Sequence, residues 1–154
     1  MAKKVVVAFS GGLDTSFNVM YLTKEKGYEV YAACADTGGF SAEQLKANEE
    51  NAYKLGAKKY VTLDVTREYY ANSIRFMIYG NVLRNGTYPV SVSSERIFQA
   101  MAIAKYAKEI GADAIAHGST GAGNDQVRFD MTFLVMAPGI EIITLTRDMA
   151  LTRQ

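Results

Sequence analysis

The segment that decides the fold lies near the amino terminus and reads VVVAFSGGLDTS, residues 5–16. Its first part, residues 5–9, is an unbroken apolar run rich in β-branched side chains, which is typical of a strand covered on both faces. Gly11 and Gly12 interrupt the run, and apolar residues then recur at helical spacing. The segment therefore predicts a buried strand, a glycine turn and a helix, which is the opening unit of an α/β domain.

The same alternation continues along the chain. Further strands are predicted at residues 29–35, 60–65, 112–117 and 141–145, with helices before and between them, the longest at residues 94–110. Ser41 and Gln44 have the spacing of a capping box, and Gly56 is placed to end the helix that they begin. On the longest helix, one apolar face is expected to carry Ile97, Met101, Ala104 and Ala107. The pattern predicts a Rossmann-like three-layer α/β domain with a mostly parallel five-stranded sheet.

Length and composition exclude several classes of protein. The 154 residues suit one domain, and 49% hydrophobic with 21% charged residues is an ordinary globular balance. A net charge of +1 offers no basic surface for nucleic acid or acidic lipid. Because the chain has one cysteine, Cys34, an internal disulfide is excluded and a reducing compartment is favoured. We therefore expect a cytoplasmic domain with no nucleic-acid or membrane partner.

The glycine turn after the first strand has the chemistry of a phosphate-binding loop. A helix N-terminus presents unpaired N–H groups and partial positive charge, and two glycines let the backbone approach an anion closely. Ser10, Thr15 and Ser16 add hydroxyl donors, while Leu13 is expected to point into the core. The alternative is an ordinary tight turn with Asp14 or Thr15 as the helix cap. The Walker and dinucleotide fingerprints do not fit, because the required lysine and third glycine are missing.

A second polar loop follows the predicted fourth strand and reads AHGSTGAGNDQVRF, residues 116–129. It concentrates three glycines, two hydroxyls, two amides, an aspartate and an arginine beside one strand end. In the structural alternative, the glycines only form turns and Asn124 or Asp125 caps a helix that begins near Gln126. Such a density of ligand-type side chains favours a binding site.

These motifs carry a family resemblance. The block SGGLDTS at residues 10–16 resembles the pyrophosphate loop of the adenylate-forming ATP pyrophosphatases. Together with YPVSVS at residues 88–93 and the loop at residues 116–129, it is similar to the argininosuccinate synthetase family, although Phe9 stands where many members carry tyrosine. The resemblance implies an adenine nucleotide alpha hydrolase-like fold. It also implies an ATP-dependent ligase of arginine biosynthesis that joins citrulline to aspartate and releases AMP and pyrophosphate.

The resemblance also assigns residues to ATP. It implies that ATP, with Mg²⁺, is held by the first loop, by a residue at the end of the second strand and by a glycine of the second loop: Ala8, Phe9, Ser10, Gly11, Gly12, Leu13, Asp14, Thr15, Ser16, Ala35 and Gly118. No residue is assigned as a direct metal ligand. Ala35 is equally compatible with a small buried strand residue.

The substrate residues follow from the same resemblance. Citrulline is expected at Tyr88, Ser93 and Arg128, and aspartate at Thr120, Asn124 and Asp125, with Asn124 near both amino acids. Asp14 and Asp125 are the candidate catalytic residues. Local alternatives remain: Arg128 in a surface ion pair, Ser93 as the cap of a helix beginning at Ser94, and Tyr88 as a packing residue. His117, the sole histidine, is expected to be structural.

Full-length members of this family are more than twice as long, with a second half that adds citrulline contacts and ties subunits into a homotetramer. Residues 1–154 are therefore expected to form the nucleotide-binding domain without the C-terminal synthetase and multimerisation domain. Two alternative functions remain open. One is another ATP pyrophosphatase, which would need a cysteine pair or a glutaminase domain. The other is a non-catalytic nucleotide-binding module of the universal stress protein kind.

Overall fold

The computed structural model describes residues 2–150, except for the side chains of Pro89 and Val92. Five strands form one sheet, β1 (Lys4–Ala8), β2 (Glu29–Asp36), β3 (Lys59–Asp64), β6 (Ala114–Ala116) and β7 (Glu141–Ile143). Their order is β3-β2-β1-β6-β7 and every pairing is parallel. The short strands β4 (Leu83–Arg84) and β5 (Tyr88–Pro89) form a separate antiparallel hairpin. The predicted α/β sheet is confirmed.

Helices cover both faces of this sheet. They are α1 (Leu13–Lys24), α2 (Ala42–Leu55), α3 (Thr66–Tyr69), α4 (Arg75–Tyr79), α5 (Ser91–Glu109), α6 (Asp125–Met136) and α7 (Leu145–Asp148), with a π-helical turn (Tyr70–Ile74) joining α3 to α4. One apolar cluster packs the sheet against α1 and α2, and a second packs it against α5 and α6. Within residues 2–150, no helix has the length and apolarity that a membrane crossing requires.

The apolar run of β1 supplies both layers of the core. Val5 and Val7 belong to the cluster under α1 and α2, whereas Val6 and Ala8 belong to the cluster under α5 and α6. Side chains alternate between the two faces of a strand, so an uninterrupted apolar run is what a central strand requires. The sheet thus grows outward from β1 in both directions, and the strand order reverses between β1 and β6. Ligands of such sheets bind at the carboxyl ends of the strands beside this point.

The longest helix differs from its prediction. It begins at Ser91, three residues before the expected start, with Val90 in the N-cap position and no side-chain cap. The alternative in which Ser93 caps this helix is therefore wrong. Ala104 and Ala107 are buried as expected, but Ile97 is exposed and its place in the core is taken by Ala100 and Ile103. The buried face is set by the alanine-rich contact with the sheet and α6, where small side chains allow close approach.

Other boundaries also shift. The hairpin strand β5 lies in a stretch where no strand was predicted. Helix α4 carries Phe76 and Ile78, which are both exposed. The last two strands of the sheet are shorter than predicted, and Leu145 begins α7 where a strand was expected to continue.

The predicted capping box at the start of α2 forms in full. Ser41 Oγ accepts from the Gln44 backbone N–H at 3.2 Å, and Gln44 Oε1 accepts from the Ser41 N–H at 2.8 Å. Ser41→Ala is expected to lower the free energy of unfolding in a urea titration by about 1 kcal/mol. The control Lys46→Ala, at an exposed position of the same helix, should change it by less than about 0.5 kcal/mol. Equal effects for the two variants would contradict the capping role.

Candidate functional site

The first loop leaves the N-terminus of α1 open. Gly12 occupies the N-cap position and supplies no side-chain cap, while Thr15 Oγ1 donates back to the Gly12 carbonyl at 3.1 Å. The alternative with Asp14 or Thr15 as the cap is therefore wrong. No side chain therefore caps the N-terminus of α1, and a helix N-terminus favours negative charge because of the helix dipole.

The loop is held from the side by α2. Gly11 has φ +78°, and a Cβ built on it would lie 2.0 Å from Oδ1 of Asn48. One turn further on, Asn51 Nδ2 donates to Ser16 Oγ at 3.3 Å. The backbone conformation thus favours glycine at position 11, and a side chain there would also displace the Asn48 amide. Leu13, expected in the core, is 75% exposed, because the first residue of α1 faces away from the sheet.

A cleft of about 590 Å³ lies over the carboxyl ends of β1, β2 and β6, where the strand order reverses. Eight residues predicted for ATP line it: Ala8, Phe9, Ser10, Gly12, Asp14, Thr15, Ala35 and Gly118. The other three, Gly11, Leu13 and Ser16, do not line it. Ala8 is the last residue of β1 and Ala35 the next to last of the neighbouring strand β2, and their small side chains leave space above the sheet.

The second loop closes directly onto the first. A Cβ on Gly118 would lie 2.9 Å from the Cβ of Asp14 and 3.3 Å from the Thr15 Cγ2. Real side chains do not pack at the shorter of these distances, so only glycine permits this approach. The two glycine loops, more than 100 residues apart in sequence, therefore form one wall of the same cleft.

A second pocket of about 300 Å³ adjoins the cleft. It is lined by five of the six predicted substrate residues, Tyr88, Ser93, Asn124, Asp125 and Arg128, together with Arg84, Val90, Ala122 and Gly123. The sixth, Thr120, lines the larger cleft. Ala122 and Asp125 line both cavities. The polar loop between β6 and α6 therefore separates two adjacent cavities and contributes side chains to each.

Arg128 is held in a fixed orientation at this second pocket. Its Nη1 donates to Asp125 Oδ1 at 2.9 Å and its Nη2 to Ser93 Oγ at 3.0 Å. Asp125 also accepts from Nε of Arg96 at 3.4 Å. Arg128 is thus in the ion pair that was considered as an alternative, but the pair lines a cavity. A planar guanidinium held in this way is suited to recognise a carboxylate.

Several residues of the cleft escaped sequence analysis. Glu95, Arg96, Gln99 and Ile103 project from α5 into it, joined by Thr37 from the end of β2. Thr37 Oγ1 donates to Glu95 Oε1 at 2.8 Å, and Arg96 Nη1 donates to Gln99 Oε1 at 2.9 Å. The i, i+3, i+4 spacing of the helix residues was the available signal. The predicted apolar face included Ile97, which is exposed, and left out the neighbouring Ile103.

His117 and Cys34 line the cleft but neither is suited to proton transfer or nucleophilic attack. His117 is buried, stacks on Phe129 and pairs with Asp130 through Nε2 at 2.7 Å. Burial lowers the pKa of His117 in spite of this carboxylate, so the imidazole is neutral near pH 7. Burial likewise raises the pKa of the Cys34 thiol, which keeps it protonated. The expectation that His117 is structural agrees with this geometry.

Comparisons with known proteins were consistent with one another. The family model described as the arginosuccinate synthase N-terminal HUP domain matches residues 4–154. Argininosuccinate synthase of Pyrobaculum aerophilum is 41% identical over 99% of this chain, and that of Methanocaldococcus jannaschii is 42% identical over 99%. The chain spans 38% of the length of each. Argininosuccinate synthase of Lactococcus lactis is 42% identical over 95% of the chain and is covered over 36% of its length.

Among solved structures, an NMN synthetase from Francisella tularensis superposes with a TM-score of 0.58 over 77% of this chain and 46% of that one, at 14% identity. At that identity the likeness concerns the fold alone, and it supports the three-layer architecture described above. The match of the family model over residues 4–154 shows the family as well as the fold. The chain belongs to the argininosuccinate synthase family, in the part of the protein that forms its N-terminal HUP domain.

Proposed function

We propose that this chain is the nucleotide-binding domain of an argininosuccinate synthetase. In the proposed reaction, ATP drives the condensation of citrulline with aspartate, and the products are argininosuccinate, AMP and pyrophosphate. The observation that carries the proposal is the open N-terminus of α1 at a cleft of about 590 Å³, with a second polar pocket directly beside it. One cavity suits a nucleoside triphosphate and the other an amino acid. A cytoplasmic location belongs to the same proposal.

The triphosphate is proposed to bind along the first loop. The uncapped N–H groups of α1 and the hydroxyls of Ser10 and Thr15 would hold the terminal phosphates. Ala8, Ala35 and Gly118 would leave room for the nucleoside at the strand ends. Gly11, Leu13 and Ser16 do not line the cleft, so their contribution is proposed to be loop conformation instead of direct contact.

Mg²⁺ is proposed to enter with the nucleotide. Among residues 2–150, no group of three or more histidine, cysteine or acidic side chains forms a ready metal site. Mg²⁺ binds well through one or two carboxylates when phosphate oxygens and water complete its shell. Asp14 lines the cleft within the first turn of α1 and is the carboxylate that we propose for this role. The ion would supply charge stabilisation at the phosphates.

The second pocket is proposed to hold citrulline through Tyr88, Ser93 and Arg128. The oriented guanidinium of Arg128 suits an α-carboxylate, and Ser93 is positioned by its hydrogen bond to that group. Aspartate is proposed to bind at Thr120, Asn124 and Asp125, on the loop between the two cavities. Asp125 lines both cavities, which supports its proposed role between the two substrates.

The proposed chemistry has two displacement steps. The ureido oxygen of citrulline attacks the α-phosphorus of ATP, an oxygen–phosphorus bond forms and pyrophosphate leaves. The amine of aspartate then attacks the activated ureido carbon, loses a proton to solvent and displaces AMP. Both steps develop charge on phosphate oxygens, so the contribution of this chain is orientation and electrostatic stabilisation. The neutral, buried His117 and Cys34 take no covalent part.

Citrulline binding distinguishes this proposal from a nucleotide-binding module without catalysis. Citrulline titrated into the chain is expected to bind more tightly once a non-cleavable α,β-methylene analogue of MgATP is present, since the two cavities share a wall. Arg128→Met should remove the citrulline signal by deleting the carboxylate partner. The control Arg67→Met, at an exposed arginine of α3, should not. If citrulline fails to bind to the nucleotide-loaded chain, the second pocket of residues 2–150 is not a citrulline site by itself, and its assignment to citrulline is contradicted.

A further inference from the structure

The loop at residues 118–124 lines both cavities. Side chains at its two ends hydrogen-bond to its backbone. Gly118, Ser119, Thr120 and Ala122 line the larger cleft, and Ala122, Gly123 and Asn124 line the second pocket. At its start, the Ser119 N–H donates to Nδ1 of His117 at 3.2 Å. At its end, Gln126 Nε2 donates to the Gly121 carbonyl at 2.7 Å and to that of Gly123 at 3.4 Å. These two side chains brace the loop.

One residue of α7, Arg147, connects the side chains at the two ends of the loop. Arg147 Nη1 donates to Oε1 of Gln126 at 2.9 Å and to Oδ2 of Asp130 at 2.7 Å. Asp130 in turn binds His117 Nε2 through its other oxygen, at 2.7 Å. A single guanidinium group therefore ties both ends of the loop to the segment that follows β7. We call this set, Arg147, Asp130, His117 and Gln126, the loop brace.

Donor and acceptor chemistry fixes the orientation of each group in the loop brace. Arginine has no acceptor, so Gln126 must turn its oxygen to Arg147 and its amide nitrogen to the loop carbonyls. The Ser119 N–H makes Nδ1 of His117 an acceptor, so its proton sits on Nε2 and is donated to Asp130. Burial alone would raise the pKa of Asp130, but hydrogen bonds from Arg147 and His117 outweigh it and the pKa lies below its usual value. The carboxylate thus stays charged between two donors.

Arg147 itself lines neither cavity. Its side chain lies beneath the loop, where a Cβ on Gly121 would be 4.0 Å from the Arg147 Cγ. Any effect of Arg147 on a ligand must therefore pass through the residues that it holds.

We propose that Arg147 is a positioning residue for the nucleotide site, which acts through Gln126 and through Asp130 and His117 to hold the loop at residues 118–124 against the first loop. This inference rests on the proposed function, because it concerns the loop that closes on the proposed nucleotide. It assigns a role to a residue outside the motifs that carry the family resemblance. Small displacements of positioning groups have large effects on ligand sites, so the consequence should be measurable.

Calorimetric titration of MgATP provides the first test. Arg147→Met is expected to weaken MgATP binding by about tenfold. Arg147→Lys keeps a charged nitrogen that can donate to both Gln126 and Asp130, although on a shorter side chain, and should recover part of the loss. Arg67→Met on exposed α3 is the matched control and should bind as the wild type does. Gln126→Leu should weaken MgATP binding similarly. The double variant Arg147→Met/Gln126→Leu should bind MgATP no more weakly than the single variant with the lower affinity, because both residues act through one brace.

The sole histidine provides the second test, since its imidazole ¹⁵N signals are unambiguous. The charged groups that influence His117 are Asp130, Asp148 and Arg147, and only Arg147 lowers its pKa by charge. Arg147→Met should therefore raise the pKa of His117, with the neutral Nε2–H tautomer as the starting form. An Nδ1–H tautomer in the wild type would show that the Ser119–His117–Asp130 part of the brace does not form in solution.

The outcomes separate the two claims. If the wild type binds MgATP and a folded Arg147→Met variant binds it equally well, this inference is overturned while the proposed function stands. If the folded wild type does not bind MgATP, both are overturned. If Arg147→Met does not fold, Gln126→Leu decides, because full MgATP affinity in that variant would show that the brace does not position the loop.

Discussion

Gly11→Ala is expected to reduce MgATP affinity by at least about a hundredfold, the largest effect that we anticipate for a single methyl group. The added Cβ would meet Asn48 Oδ1 at 2.0 Å, and the backbone at φ +78° disfavours any L side chain. Relief of that clash displaces the Asn48 amide or moves the first loop away from α2, and the strain at positive φ favours the second route. The N–H groups at the start of α1 would then lose their alignment with the cleft. Calorimetry on the folded variant measures the loss.

The matched control for this substitution is Gly139→Ala. Gly139 also has positive φ, +87°, but a Cβ there meets nothing within 4 Å and the residue lies outside both cavities. It carries the backbone strain of about 1–2 kcal/mol without the clash at the loop. Wild-type MgATP affinity in Gly139→Ala and lost affinity in Gly11→Ala is the expected pair of results. Equal affinity in both variants would show that the conformation of the first loop at Gly11 does not determine nucleotide binding.

Phe133→Ala is expected to have the largest effect on stability. Phe133 is the largest of the fully buried side chains in the described part of the chain. The centroid of its ring lies 6.0 Å from that of His117 and 5.8 Å from that of Phe129. Truncating a buried phenylalanine costs about 3–5 kcal/mol, a large part of the ordinary stability of a domain. Urea denaturation should show the midpoint falling accordingly.

Leu134→Ala, at the next position of α6, is the control because Leu134 is 60% exposed. It should change the free energy of unfolding by less than about 0.5 kcal/mol. A loss for Phe133→Ala no greater than that of Leu134→Ala would contradict the description of the layer between the sheet and α6. Phe133 packs against His117 and Phe129, which line the cleft, so Phe133→Ala also removes packing beneath the site.

Local sequence signals predicted most of the architecture. The apolar run ending at Gly11 and Gly12 predicted the central strand and the helix after it, and both form. Ser41 and Gln44 predicted a helix start that the structure contains in full. These predictions succeeded because strand burial, glycine turns and capping boxes depend on residues close together in the chain.

Features that depend on distant residues were not predictable in this way. Leu13 was expected in the core, but the orientation of α1 on the sheet leaves it exposed. The contacts of Arg96 with Asp125 and of Arg147 with Gln126 and Asp130 join residues 17 to 29 positions apart, and no local pattern indicates them. The missed hairpin is different. Asn85 and Gly86 both have positive φ, and their sequence was an available turn signal.

The most direct test of the central claim is calorimetric titration of MgATP into the unmodified chain, with folding checked by the dispersion of its amide NMR spectrum. The account predicts saturable binding of one nucleotide per chain, and chemical-shift changes that concentrate in the first loop, at Gly118 and at His117. A well-folded chain that binds no MgATP, or that binds it with shift changes away from both glycine loops, would contradict the assignment of this domain as the nucleotide site.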